Sequence, residues 1–392
     1  MKKRTLIFFT AAVLSSVLLA RGLTQISNLP TEPVAVDPST GVTVVAQTIA
    51  SGLVVPWSLV FDPDGRLFVT ERPGRVRVII NDTLLTQPVI DMTGVVAHAG
   101  EGGLCGITLD QDFAANHYLY VYHTYREGGL LKNRVVRLIE NNNRATIDTV
   151  LLAGIPGQSI HDGGQIKVGP DNLLYVTTGD ASVPDNAQRL SSLSGKILRM
   201  NLDGSAPADN PFPDEAPLVY SYGHRNPQGL AWDSSGQLYE TEHGPSGELG
   251  ARSNDEVNII YPGVNYGWPN CIGICGDPNY MDPIRLFFPE TVPPHGATFY
   301  YGDQLPMWTG SFFFGTSGFN FNPAARHIHR LLFDQLGGTT IVEEARLAQD
   351  QFRRIRDMIA GSDGFLYFTT SNRDGRATPL AGDDRVIRLR PQ

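Results

Sequence analysis

Long apolar runs are missing from this 392-residue chain except at its very start. Past about residue 20, no stretch is long enough to span a bilayer as a helix. Extended helical periodicity is missing too, so long amphipathic helices are not expected. Charge is scarce, at 18% of residues, and its balance is −9 with no basic patch. That combination excludes nucleic acid as an expected partner. Cysteine is nearly absent, with three residues. Two of them, in Cys271-Ile272-Gly273-Ile274-Cys275, could close a small loop in an oxidising compartment. A metal site is the weaker reading, because no His or third Cys lies close by. Cys105, in Gly-Leu-Cys-Gly-Ile, reads as a small buried residue.

The one apolar run, Leu6 to Ala20, follows Lys2, Lys3 and Arg4. A basic start followed by such a run predicts a secretory signal over 1–21 and an exported, secreted or periplasmic, protein. Residues 22–45, rich in Thr, Pro, Ser and Val without period, read as a linker. Residues 46–392 then form the main domain, with no membrane span once the signal is removed.

What is abundant is glycine and proline, 41 and 27 residues, beside 41% hydrophobic residues. Many strands and turns follow from that. A turn leading into an aromatic or β-branched strand recurs at Asp62–Thr70, Gly169–Thr178, Asp233–Thr241 and Gly361–Thr370. A longer variant runs from Asp110 to His123. A second strand type, ending each unit, begins at Arg75, Arg134, Lys196, Glu256, His327 and Arg385. Six units roughly 50 to 70 residues apart predict an all-β, six-bladed β-propeller. A pair of β-sandwiches is the alternative, but it leaves six similar strand pairs unexplained.

Chemistry in a propeller gathers where connecting loops meet the channel. Tyr222-Gly223-His224-Arg225-Asn226-Pro227-Gln228-Gly229 and Glu242-His243-Gly244-Pro245 are too polar to be turns alone. His161, in Ile-His-Asp-Gly-Gly, stands just before a strand, and imidazole suits a general base. Asp180 ends the next strand and could orient it. Arg225 could hold a developing oxyanion, and Asn226 could donate to a carbonyl. Arg354 and Arg356 alternate at strand period and suit an anion clamp. The Gly244 and Pro245 carbonyls could coordinate a hard cation such as calcium, helped by Asp255. The residues themselves name no reaction.

The ordered set of motifs resembles the glucose/sorbosone dehydrogenase family, the soluble PQQ-dependent aldose sugar dehydrogenases. It runs from Val55-Pro56-Trp57-Ser58-Leu59 through His161-Asp162-Gly163-Gly164, Gly223-His224-Arg225-Asn226-Pro227-Gln228-Gly229 and Asn265-Tyr266-Gly267-Trp268-Pro269 to Arg354-Ile355-Arg356-Asp357. The resemblance implies oxidation of an aldose at its anomeric carbon to a lactone, with hydride passing to PQQ. It makes His161 the general base and Asp180 its support. Arg225 would stabilise the quinone oxyanion. Asn226, Asp255, Arg354 and Arg356 would join it in holding PQQ, and Gly244 and Pro245 would hold Ca2+. An external electron acceptor is implied, and the chain would be a monomer or homodimer. Glu101 and His243, which the resemblance also places at the cofactor, stand where the family's glucose enzymes carry Gln, and a Lys those enzymes use has no counterpart. Glu101 near a tricarboxylate must be protonated or paired. A non-catalytic glycan- or protein-binding propeller and a calcium-dependent lactonase-type hydrolase are the competing readings.

Overall fold

The same local device follows the inner strand in several blades. In Asp62-Pro63-Asp64-Gly65-Arg66 the Asp62 carboxylate accepts the backbone N–H groups of Asp64 and Arg66, at 3.1 and 2.7 Å. Asp233 accepts those of Ser235 and Gln237, at 2.9 and 3.0 Å. Such Asx turns reverse the chain between an inner strand and the next one out. That second strand is then covered on both sides: Leu67–Glu71, Leu174–Thr178, Leu238–Glu242, Phe312–Thr316 and Leu366–Thr370 are buried at every residue.

The structure, a computed structural model, describes residues 31–38 and 40–392. The expected signal at 1–21 and residues 22–30 of the expected linker lie outside the described residues. Six antiparallel sheets form the blades. Their inner strands are Pro56–Phe61, Leu104–Leu109, Ile166–Val168, Pro227–Trp232, Pro294–Phe299 and Ile355–Ala360. The sheets succeed one another around a channel, and the last inner strand meets the first. Apolar clusters lie between blades: Phe68, Val76 and Val78 of the first pack with Ile107, Leu119 and Val121 of the second. The fold is the expected six-bladed β-propeller.

Two expectations need correction. The basic–aliphatic strands do not end their units. Arg75–Ile80, Lys196–Met200 and Ile328–Phe333 are each the third strand, with another outside them. Outer strands such as Arg144–Pro156 and Ile341–Leu347 are mostly exposed on their residues and carry no apolar alternation to find. The stretch read as linker also contributes structure. Thr31–Val36 pairs with Thr43–Ala50, which pairs in turn with Val386–Pro391. The sixth sheet therefore holds both ends of the described chain and closes the ring. Among the described residues, no helix is long and apolar enough to cross a membrane.

Candidate active site

Inner strands start, and second strands end, at one mouth of the channel. The loops there bring together residues far apart in sequence. His161 precedes the inner strand of blade three at φ +62°, a left-handed conformation costly for a residue with a side chain. Gly179 makes the arrangement possible, since a Cβ there would lie 2.0 Å from the His161 carbonyl oxygen. Asp180 thereby reaches His161 Nδ1 at 2.8 Å. Its other oxygen accepts the Trp268 indole N–H at 2.9 Å. Arg225 Nη2 donates to His161 Nε2 at 2.8 Å. Arginine is only ever a donor. Nε2 is therefore the unprotonated nitrogen, and Nδ1–H donates to Asp180. The tautomer is the one a base needs, with its lone pair on the cavity side.

The cavity is about 400 Å³. His161, Arg225, Asn226, Gly244, Pro245, Asp255, Arg354, Glu101 and His243 all line it. Asp180 and Arg356 are set back from it, so that of the two arginines expected to clamp an anion Arg354 is the one on the wall. Arg354 presents its guanidinium at the wall, tied by Nε and Nη2 to Asp374 at 2.9 Å each and to the Ser317 carbonyl. Arg356 lies deeper, with Nη1 donating to His295 Nδ1 at 3.0 Å and Nη2 3.5 Å from Asp374 Oδ2. Burial, then the Arg354 charge, lowers its pKa to about 9. Asn226 accepts the Gly163 N–H and the Gln228 side-chain amide, both at 3.1 Å. What it can still offer a ligand is its NH2.

Several residues at this mouth were not found in the sequence. Arg376 pairs with Glu101 at 2.6 Å across 275 residues. It supplies a further cation on the wall, beside Arg225, Arg252 and Arg354, in a chain where no Lys could be aligned. Burial pushes the Glu101 carboxyl up, but the Arg376 charge and the His161 backbone N–H, which donates at 3.0 Å, outweigh it and hold it down at about 2. Glu101 is thus paired, not protonated. A carboxylate lowered on folding stabilises the protein above its unfolded value of 4.5, and that stability is lost as pH falls towards 2. Glu101→Gln is expected to cost up to about 3 kcal/mol at neutral pH, with the gap to the wild type closing below about 4.5. Thermal unfolding of both proteins across that range checks it.

Glu248 sits on the opposite side, its Oε1 2.7 Å from Arg225 Nη2 and 3.5 Å from His161 Nε2. Glu242 positions the two residues at the start of blade four, accepting the backbone N–H of Arg225 and, at 3.1 Å, that of Asn226. Neither had a distinguishing spacing, although Glu242 stands inside a motif already singled out. His243 is kept neutral: burial foremost, with the nearby Arg225 and Arg356 charges, lowers its pKa to about 3 despite Glu101.

Two places could receive a metal. Gly244 and Pro245 line the cavity, and Asp255 Oδ1 accepts the Gly244 N–H at 3.0 Å. Burial raises Asp255 to about 6. Gly244 is itself required, since a Cβ would lie 2.1 Å from the Ser253 carbonyl oxygen. Behind this wall, His224, Glu240 and Glu242 hold ligand atoms within 4.8 Å of one another, all buried. The second cluster was not anticipated. Cys271 and Cys275 are disulfide-bonded and Cys105 is free and buried, as expected.

The geometry also fits an anionic organic cofactor on its own evidence. Four guanidinium groups, those of Arg225, Arg252, Arg354 and Arg376, line one cavity, and the buried Arg225 Nε lacks a hydrogen-bond partner among the described residues. Acceptors from a ligand are what such donors need.

Comparison with known proteins agrees. The family described as Glucose / Sorbosone dehydrogenase matches residues 53–380. Quinoprotein glucose dehydrogenase B of Acinetobacter calcoaceticus is 33% identical over 69% of this chain and 61% of that protein. Aldose sugar dehydrogenase YliI of Escherichia coli strain K12 is 29% identical over 85% of this chain and 91% of its own length. The PQQ-bound aldose sugar dehydrogenase of Streptomyces coelicolor superposes with a TM-score of 0.77 at 32% identity, covering 89% of this chain and 98% of that one.

Proposed function

The chain belongs to the glucose/sorbosone dehydrogenase family, and from that premise we propose that it oxidises aldose sugars at the anomeric carbon to lactones, using PQQ and Ca2+. The observation that carries this reading is His161, held between Asp180 and Arg225 with Nε2 on a cavity walled by Arg225, Arg354 and Arg376.

When bound, PQQ supplies the two-electron acceptor that no side chain provides. The protein supplies the rest. His161 Nε2 takes the proton of the anomeric hydroxyl, once Arg225 Nη2 is released from it. Asp180 accepts the Nδ1–H and offsets the positive charge that the imidazole gains. Arg225 stands beside that atom to stabilise negative charge forming on an oxygen. Arg354 and Arg376 would pair with cofactor carboxylates, and the Asn226 NH2 would donate to a cofactor oxygen. The Gly244 and Pro245 carbonyls, with Asp255 behind them, would hold the calcium. Glu248, which shares Arg225 and His161 with that space, would move aside.

We place the protein outside the cytoplasm, passing electrons to an external acceptor. The Cys271–Cys275 disulfide supports an oxidising compartment. A glycan-binding propeller without chemistry would have no use for the His161 tautomer. A lactonase would need carboxylates free to cage a metal, whereas those lining the cavity are engaged, Glu101 by Arg376, Glu248 by Arg225 and Asp255 by the Gly244 N–H.

Titration of the cofactor-free protein with PQQ in the presence of calcium is the direct test. Binding at micromolar concentration, weakened by a calcium chelator, is expected, as is dye reduction on adding an aldose. Absence of PQQ binding refutes the proposal, and binding without sugar-dependent dye reduction leaves a degenerate enzyme.

A further inference from the structure

The loop between Ser317 and Arg326 carries two phenylalanines that nothing in the reaction above uses. Phe319 and Phe321 stack with centroids 5.3 Å apart and rings 5° from parallel. Phe319 lies against the Arg354 and Arg376 guanidinium groups, at 5.9 and 5.6 Å. Phe321 is 85% exposed, yet both rings line the same cavity as His161. The loop is fastened beneath them. Asn320 exchanges hydrogen bonds of 3.2 Å with Thr378, and Gly318 N–H donates to the Ala325 carbonyl at 2.8 Å. An aromatic face held open at the rim of a polar cavity marks a binding surface. Asn322, Ser246, Arg252 and Ser253 border it with hydrogen-bonding groups.

We propose that Phe321, backed by Phe319, is a platform for a second pyranose ring, so that the enzyme prefers reducing oligosaccharides of glucose configuration to the free monosaccharide. This rests on the sugar-oxidising reading above. A β-linked glucosyl ring carries its hydroxyls equatorially and presents C–H groups on its faces. It can lay one face on a flat aromatic ring while its hydroxyls meet a polar border. Such a ring would be joined to the one whose anomeric hydroxyl is at His161, in the same cavity. No new bond is made or broken at Phe321, which acts through binding alone.

The test uses protein loaded with PQQ and calcium, comparing wild type, Phe321→Ala and Phe321→Trp. In Phe321→Ala, kcat/KM for cellotriose should fall about tenfold while that for glucose stays near wild type. Phe321→Trp should retain the oligosaccharide preference. The dissociation constant of cellotriitol, which has no anomeric hydroxyl to oxidise, should rise by a similar factor in Phe321→Ala, with PQQ affinity and melting temperature unchanged. Equal losses for glucose and cellotriose, a fall in PQQ affinity, or equal cellotriitol binding by all three proteins would overturn the platform. Should the wild type oxidise no sugar, the catalytic reading falls, and cellotriitol binding still decides the platform.

Discussion

His161→Gln is expected to lower sugar turnover by a factor of roughly 10² to 10⁴, the usual contribution of a positioned base. Glutamine keeps much of the shape but cannot take the proton. Affinity for PQQ should hardly change, because the cations that would hold it are Arg225, Arg354 and Arg376. Melting temperature should fall only modestly. The Asp180 carboxylate keeps the Trp268 indole and the Ser182 N–H as partners, at 2.9 and 2.8 Å. Turnover with a dye acceptor, PQQ titration and thermal unfolding on one preparation separate a base from a packing residue. Wild-type turnover with PQQ bound would end the mechanism proposed here.

Arg354→Ala is expected to damage both the fold and the cofactor site. The Arg354–Asp374 pair is buried, with 2% and 1% of its side chains exposed. Removing one partner of a buried pair typically costs about 3–5 kcal/mol, because the other charge is left behind. Arg356, at 3.5 Å, and the Arg376 backbone N–H, at 3.0 Å, would still face Asp374. The penalty should shrink in acid. Burial raises the Asp374 carboxyl, but the Arg354 and Arg356 charges hold it below its ordinary value. The stability it gives the wild type is therefore present above that ordinary value, 3.8, and is lost as pH falls below it. Arg354→Ala with Asp374→Asn should recover much of the melting temperature and none of the PQQ affinity. Full recovery of PQQ affinity in the double variant would remove Arg354 from the site.

The blade count was legible because two local signals repeat. The Asp turn is a side-chain-to-backbone device encoded within five residues, as at Asp62 and Asp233. The strand after it shows as aromatic and β-branched residues because it is buried on both faces. Blade five lacks the first signal. Its second strand, Phe312–Thr316, follows a 3-10 turn at Pro306–Trp308 with no Asp-turn pattern. The candidate site was legible where its residues lie in dense polar motifs at strand starts, as for His161, Arg225 and Asn226. Arg376, Glu248 and Asp374 come from connecting loops, where no period constrains the residue. Arg376 also acquires meaning only through a partner 275 positions away. Strand alternation put Arg354 and Arg356 on one face, and both guanidinium groups reach Asp374, at 2.9 and 3.5 Å. One arginine meets the cavity and the other meets His295.

The joint between the chain ends also has a consequence in time. The sheet that carries Arg354 is completed by Val386–Pro391 lying against Thr43–Ala50. On a growing chain, His161, Arg225, Arg354 and Arg376 have all been made before the strand that joins the two ends. Until that strand is added, the sixth blade meets the first through its inner strands, as where Ser58 Oγ and the Leu59 N–H donate to Asp357, but its sheet cannot be joined to Thr43–Ala50. Capture of the cofactor is then expected to await the Val386–Pro391 strand, and a polypeptide halted before it would carry every group of the site on an incomplete sixth sheet.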